Sequence, residues 1–163
     1  MMGYLLLLTL VMGMSLYSVS KLGRVRDVTH SVILEDNVLL DLHKSLARSF
    51  LAETQNEKKF ISLRDRAFYD GFLLAWRDFD RYLTQARSLA RSPDLAVLID
   101  RIGTLHVGYQ TLFDDEAALR RTGTPYVASR YRTMKTDAAN AMTDALQAMH
   151  ALVQKTIIGK VTR

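Results

Sequence analysis

The sequence has no cysteine, only two prolines and only eight glycines in 163 residues, and each scarcity narrows the field. Without cysteine, a disulfide scaffold, a thiolate zinc centre and a cysteine nucleophile are all excluded. Glycine and proline are far too sparse for a collagen-like or low-complexity chain. With 48% hydrophobic against 24% charged residues, a disordered chain is excluded as well. Charge of one sign is not in great excess: 22 basic and 17 acidic residues leave a net +5, spread along the chain. That balance suits an anionic neighbour without calling for nucleic acid. The length is that of one domain able to bury a real core.

One stretch lacks charge altogether. Residues 1–20, MMGYLLLLTLVMGMSLYSVS, contain no acidic or basic side chain. About 20 such residues in a helix span the roughly 30 Å hydrocarbon layer of a bilayer. A cleaved signal peptide needs a basic leader, which is missing here, although Ser18-Val19-Ser20 has the small residues of a cleavage site. A buried core helix seldom runs this far without a charge. The expectation is a membrane anchor over residues 1–21, continuous with the helix that follows. Lys21, Arg24 and Arg26 come next, and basic flanks usually stay cytoplasmic, so the flank alone leaves the orientation open.

From Leu22 onward apolar residues recur with a period near 3.5, and strand-like alternation is missing. A first segment, about 22–63, carries Val25, Val28, Val32, Leu39, Leu42, Leu46 and Phe50. It turns polar at Glu53 and Glu57 and recovers at Phe60. A second, about 66–91, carries Tyr69, Phe72, Trp76, Phe79, Leu83, Ala86 and Ala90 in unbroken steps of three and four. A third, about 93–122, carries Leu95, Ile99, Ile102, Leu105, Tyr109, Leu112 and Leu119. A fourth, about 125–163, carries Val127, Met134, Ala138, Ala141, Ala145, Ala148 and Leu152.

Local signals punctuate these segments. Asp65 suits an N-cap, and Ser92-Pro93-Asp94 supplies a capping hydroxyl, a first-turn proline and a carboxylate that favours the helix dipole. Thr122-Gly123-Thr124-Pro125 reads as a glycine C-cap followed by a capping threonine and another first-turn proline. Three short joints between four helices predict an all-α, antiparallel up-down-up-down four-helix bundle with shallow crossing angles. At 1.5 Å per residue the first and last helices outreach the middle two by about 20 Å. The overhang predicts a two-helix stalk with basic feet, Lys21, Arg24 and Arg26 on one leg and Lys155, Lys160 and Arg163 on the other. Such feet suit anionic lipid headgroups, although Lys160 and Arg163 equally complement a helix C-terminus.

Catalytic patterns are missing. There is no glycine-rich phosphate loop, GxSxG elbow or HExxH pair, and no Glu is followed three residues later by His as a di-iron bundle requires. His30, His43, His106 and His150 are far apart, and most border apolar seams, which favours core or boundary roles over metal ligation. His43 and His106 are the pair to weigh for a haem. The expectation is no enzyme, no metal and no cofactor. The aromatic row on the second helix has the spacing of a packed face. The break at Glu53 and Glu57 is the chief candidate for a site. Counted from the distal loops, Glu53, Glu57, Trp76, Glu116, Arg130 and Tyr131 share one level. A buried carboxylate must be paired. Either Arg130 neutralises one of them, or the level holds a polar ligand, or the distal end is simply exposed and ion-paired.

An apolar anchor running into a long helix, FLAETQNEKKFISLRDRAFYDGFLLAWRDF across the first hairpin and LHVGYQTLFDDE in the third helix together resemble the extracytoplasmic four-helix-bundle sensor module of bacterial sensor histidine kinases. The chain is also similar to the chemoreceptor ligand domain of that architecture. The resemblance implies a bundle on the periplasmic side of the cytoplasmic membrane. It further implies a homodimer, and a signal passed down the fourth helix toward a second span and a kinase beyond Arg163. The implied function is the sensory domain of a two-component receptor, bound to membrane lipid and to a small ligand or a periplasmic protein. A membrane-anchored adaptor bundle is the alternative. For the dimer, Val25, Val28 and Val32 form a stalk stripe that only helix four covers, which predicts a parallel contact across the first helix. Ala138, Ala141, Ala145 and Ala148 predict a shallow face on which the fourth helix slides.

Overall fold

The computed structural model describes residues 37–161. The anchor at 1–21, its continuity with helix one, the basic foot at Lys21, Arg24 and Arg26, the stripe Val25, Val28 and Val32, and His30 all lie outside those residues. Within them four helices account for nearly everything and there is no strand: α1 (residues 37–63), α2 (Arg66–Leu89), α3 (Pro93–Thr122) and α4 (Ala128–Val161). Among the described residues no helix is long and apolar enough to cross a membrane.

The joints follow from local chemistry. Arg64 takes a left-handed conformation with φ 57° and donates its backbone N–H to Phe60 at 2.8 Å, ending α1. The Asp65 carboxylate then accepts from the Ala67 N–H at 2.9 Å and starts α2. Ser92 accepts from Leu95 at 3.2 Å ahead of Pro93, whose missing N–H is harmless in a first turn. Gly123, at φ 68°, turns the chain out of α3, and Thr124 donates back to Leu119 at 3.1 Å. The last joint is longer than the sequence predicts. Pro125 does not open α4, which begins at Ala128. The intervening chain stays outside the helix, and its Tyr126 hydroxyl reaches Glu116 at 2.8 Å.

Cross-helix contacts fix the chain directions. Phe60 meets Tyr69 and Phe50 meets Phe79, so α1 and α2 run opposite ways. Phe72 packs on Phe113 while Arg87 bonds Asp100, so α2 and α3 do likewise. Glu116 meets Lys135 across the α3–α4 turn, and His43 meets His150 where α1 and α4 run antiparallel. The bundle is therefore up-down-up-down. Its core is built on the three-four spacing of Leu39, Leu42, Leu46 and Phe50 on α1, and of Phe72, Phe79, Leu83 and Ala86 on α2, all buried.

Two seams differ from the sequence reading. On α3 the buried line is Leu95, Ile99, Ile102, His106, Tyr109, Phe113 and Glu116, while Leu105 and Leu112 stand at its edge. On α4 the core face carries Lys135, Met142, Ala145, Leu146, Met149 and Val153. Val127, Met134 and Ala148 are exposed, and Ala138, Ala141 and Leu152 are half-buried. The inward face of α4 is thus lined by methionine, leucine and valine, with Ala145 the one alanine of the stripe that is fully inside. Methionine fills the space opposite the aromatic rows better than alanine does, and that decides which face turns in.

Candidate functional site

Five titratable side chains lie in the core among the aromatic clusters. Three come from consecutive turns of one seam or its neighbour: Glu53 and Glu57 on α1, and His106 on α3, with Glu116 further along α3 and Lys135 on α4. Each occupies a position that continues its helix's apolar spacing, so the same geometry that buries Leu46 buries Glu53.

They form two groups. In the first, the His106 Nε2 lies 3.0 Å from both oxygens of Glu53, whose carboxylate is 0% exposed. The His106 ring is stacked on Phe79, with centroids 3.9 Å apart, and lies parallel to Trp76 at 6.2 Å. Burial pushes the Glu53 carboxyl above its ordinary range, and the bond and charge of His106 oppose that only in part. The Trp76 Nε1 is buried without a partner.

In the second group Lys135 Nζ donates to Glu57 Oε1 and, at 2.5 Å, to Glu116 Oε2. Tyr109 donates to the other oxygen of Glu57, and Tyr126 to the other oxygen of Glu116 at 2.8 Å. Burial first, and the Glu57 charge second, raise the Tyr109 hydroxyl far above the ordinary phenol range, so it remains a donor at any accessible pH. Arg120 closes the end of the bundle: its guanidinium bonds Tyr126, reaches the Ile61 carbonyl at 2.6 Å and lies 3.6 Å from Glu116. Every carboxylate oxygen of Glu57 and Glu116 is thereby met, as buried charge requires.

A cavity of about 720 Å³ runs between α1 and α4 above this layer. Glu57, Glu116 and Lys135 form part of its wall at one end, His43 and Leu146 at the other, and the cations Lys58 and Arg132 also line it.

No protein-family model matches the sequence. No curated protein matches it either. The three-dimensional structure is similar to a solved periplasmic sensor domain of a sensor histidine kinase, with a TM-score of 0.66 at 18% identity, over 80% of this chain and 93% of that one. The two share a four-helix fold.

On this fold the residues singled out from the sequence separate. Glu53, Glu57 and Glu116 come together in the buried layer, with Trp76 at its edge. Arg130 is exposed, and the cation that faces Glu57 and Glu116 is Lys135. Tyr131 is half-buried and packs edge-on against Tyr126, centroids 5.6 Å apart, one step removed from the carboxylates. His43 and His106 do not face each other: the first pairs with His150 and the second with Glu53. Sequence reasoning missed Lys135, and it weighed His106 as a core or haem histidine rather than as the partner of Glu53. The available signal was the frame itself, because stepping back from Met142 by fours and threes lands on Lys135, and stepping on from Ile102 lands on His106.

Proposed function

We propose that this chain is the extracytoplasmic sensory domain of a membrane-anchored histidine-kinase receptor. Residues 1–21 are its anchor, Val25, Val28 and Val32 its dimer contact, and α4 the element that carries a change toward the membrane. The observation that supports this reading most is the likeness to a periplasmic sensor domain over nearly that domain's whole length. The ligand level is the end of the α1–α4 groove, where Glu57 and Glu116 reach the wall beside Lys58 and Arg132. Glu53 and Trp76 stand behind it, and Arg130 and Tyr131 stand on the first turns of α4 beyond it. A polar ligand competing there for Lys135 would loosen an ionic tie that joins α4 to both α1 and α3, which gives occupancy a direct mechanical consequence.

Alkaline phosphatase fused after Gly123 in living bacteria is expected to be active, and green fluorescent protein at the same point dark. A bright fluorescent fusion with an inactive phosphatase would place the bundle in the cytoplasm and end this reading.

A further inference from the structure

His43 on α1 and His150 on α4 lie against each other at the end of the groove away from the carboxylates. Their ring centroids are 4.8 Å apart and their planes are inclined at 39°. The Nδ1 atom of each ring is buried, and neither has a hydrogen-bond partner. Two such orphans on facing residues are unusual, because a buried polar atom left unpaired costs about 1–3 kcal/mol.

The separation has a chemical meaning. A metal–imidazole bond of about 2.0–2.1 Å places each ring centroid about 3.2 Å from the ion, so with both Nδ1 atoms on one ion, centroids 4.8 Å apart would subtend roughly 95–100° there. That lies between the cis angle of a square-planar or octahedral ion and the tetrahedral angle. We propose that His43 and His150 form a two-imidazole site for a divalent first-row transition-metal ion, copper(II) most tightly, which ties α1 to α4.

Imidazole selects copper, nickel and zinc over magnesium and calcium, and the affinity order of divalent ions peaks at copper. Among the described residues no cluster of three or more acidic or imidazole groups is placed around an ion, so water fills the remaining positions. His43 lines the cavity between α1 and α4, which gives those positions access to solvent. Ligation needs neutral rings. Burial, and then the neighbouring His150, hold the His43 imidazole below its ordinary value, and a bond between the ring and the Leu146 carbonyl opposes that only in part. The nearby Lys44 opposes a cation, but it is exposed and bonded to Asp41 at 3.0 Å. The site stands independently of the sensory reading, since it requires only the α1–α4 contact.

The test is copper(II) titration of the full chain in detergent, followed by electron paramagnetic resonance and thermal melting, alongside His43→Gln, His150→Gln and the control His30→Gln. One equivalent is expected with a two-imidazole spectrum and a raised melting temperature. Each of the first two variants should bind at least about tenfold more weakly, since even second-shell losses cost ~10–100-fold. The control should match the wild type. Unchanged copper affinity in both variants would overturn the proposal. So would a spectrum without two imidazole nitrogens, or an equal melting shift with calcium. Helicity by circular dichroism before copper is added separates a lost site from a lost fold.

Discussion

Replacing Lys135 with methionine is expected to cost about 3–5 kcal/mol of unfolding free energy at pH 7, a large share of a single domain's total. Methionine matches the length of the lysine stem, so little packing is lost. What changes is the charge balance. Glu57 and Glu116, 4% and 3% exposed, would face each other with no cation between them. Arg120 reaches only the far oxygen of Glu116, and from 3.6 Å, so it cannot take over. The triple variant Glu57→Gln, Glu116→Gln, Lys135→Met removes all three charges while keeping carbonyl acceptors for Tyr109 and Tyr126. It should recover most of the loss, because a buried ion pair is worth little against uncharged groups of the same volume. Urea midpoints of the wild type and both variants check this. A single variant as stable as the wild type would mean that water reaches the layer and screens it.

His106→Leu should have a pH-dependent effect of similar origin. Leucine fills the slot between Phe79 and Trp76 but leaves the fully buried Glu53 carboxylate without its partner. The folded protein must then keep Glu53 protonated. Holding a carboxyl of ordinary value 4.5 protonated at pH 7 costs at most about 3.4 kcal/mol, and at pH 5 less than about 1. The expected loss is therefore about 2–3 kcal/mol at pH 7, shrinking as the pH falls toward 5. The wild type shows the same sign more weakly. Burial raises the Glu53 value above that of the unfolded chain, so its stabilising contribution is complete below about pH 4.5 and is lost as pH rises through the raised value. Glu53→Gln removes this dependence in either background. Denaturant melts at pH 5, 6 and 7 separate the four proteins; a His106→Leu penalty that does not vary with pH would assign the loss to packing alone.

Much of the fold was legible because helix-forming chemistry here is local. Asp65, Ser92, Pro93 and Gly123 act within a few residues of themselves, and α1 and α2 carry their core on large apolar side chains in unbroken spacing. The fourth helix was harder to read. Its alanines outnumber its methionines, and which of two adjacent stripes turns inward depends on the volume offered by the aromatic rows of other helices, which no local pattern records. The polar layer was half legible for the same reason. Glu53 and Glu57 interrupt a strong apolar seam and draw the eye. His106 and Lys135 sit just as squarely on theirs, but leucine at 105 and methionine at 134 offer tempting neighbours one step away. Arg130 has the right charge at the right height along the bundle, yet it points to solvent because it lies off the frame on which Lys135 and Tyr131 fall. The pairing of His43 with His150 depends on the antiparallel register of the first and last helices, which only the folded chain supplies.

The central claim, that this bundle passes a stimulus through α4, is tested most directly in a receptor in which residues 1–163 are joined to the second span and kinase of a characterised histidine kinase. Ala145 is buried at 3% exposure on the core face of α4, whereas Ala148, one turn on, is exposed. Leucine at Ala145 overpacks the core by about 1–3 kcal/mol. If one signalling state bears that strain, the ratio of the two states moves by about 5–150-fold. The account predicts that Ala145→Leu shifts kinase autophosphorylation to a fixed level away from the wild type, while Ala148→Leu leaves it unchanged. Equal, wild-type autophosphorylation in both variants, with the bundle still folded, would contradict it.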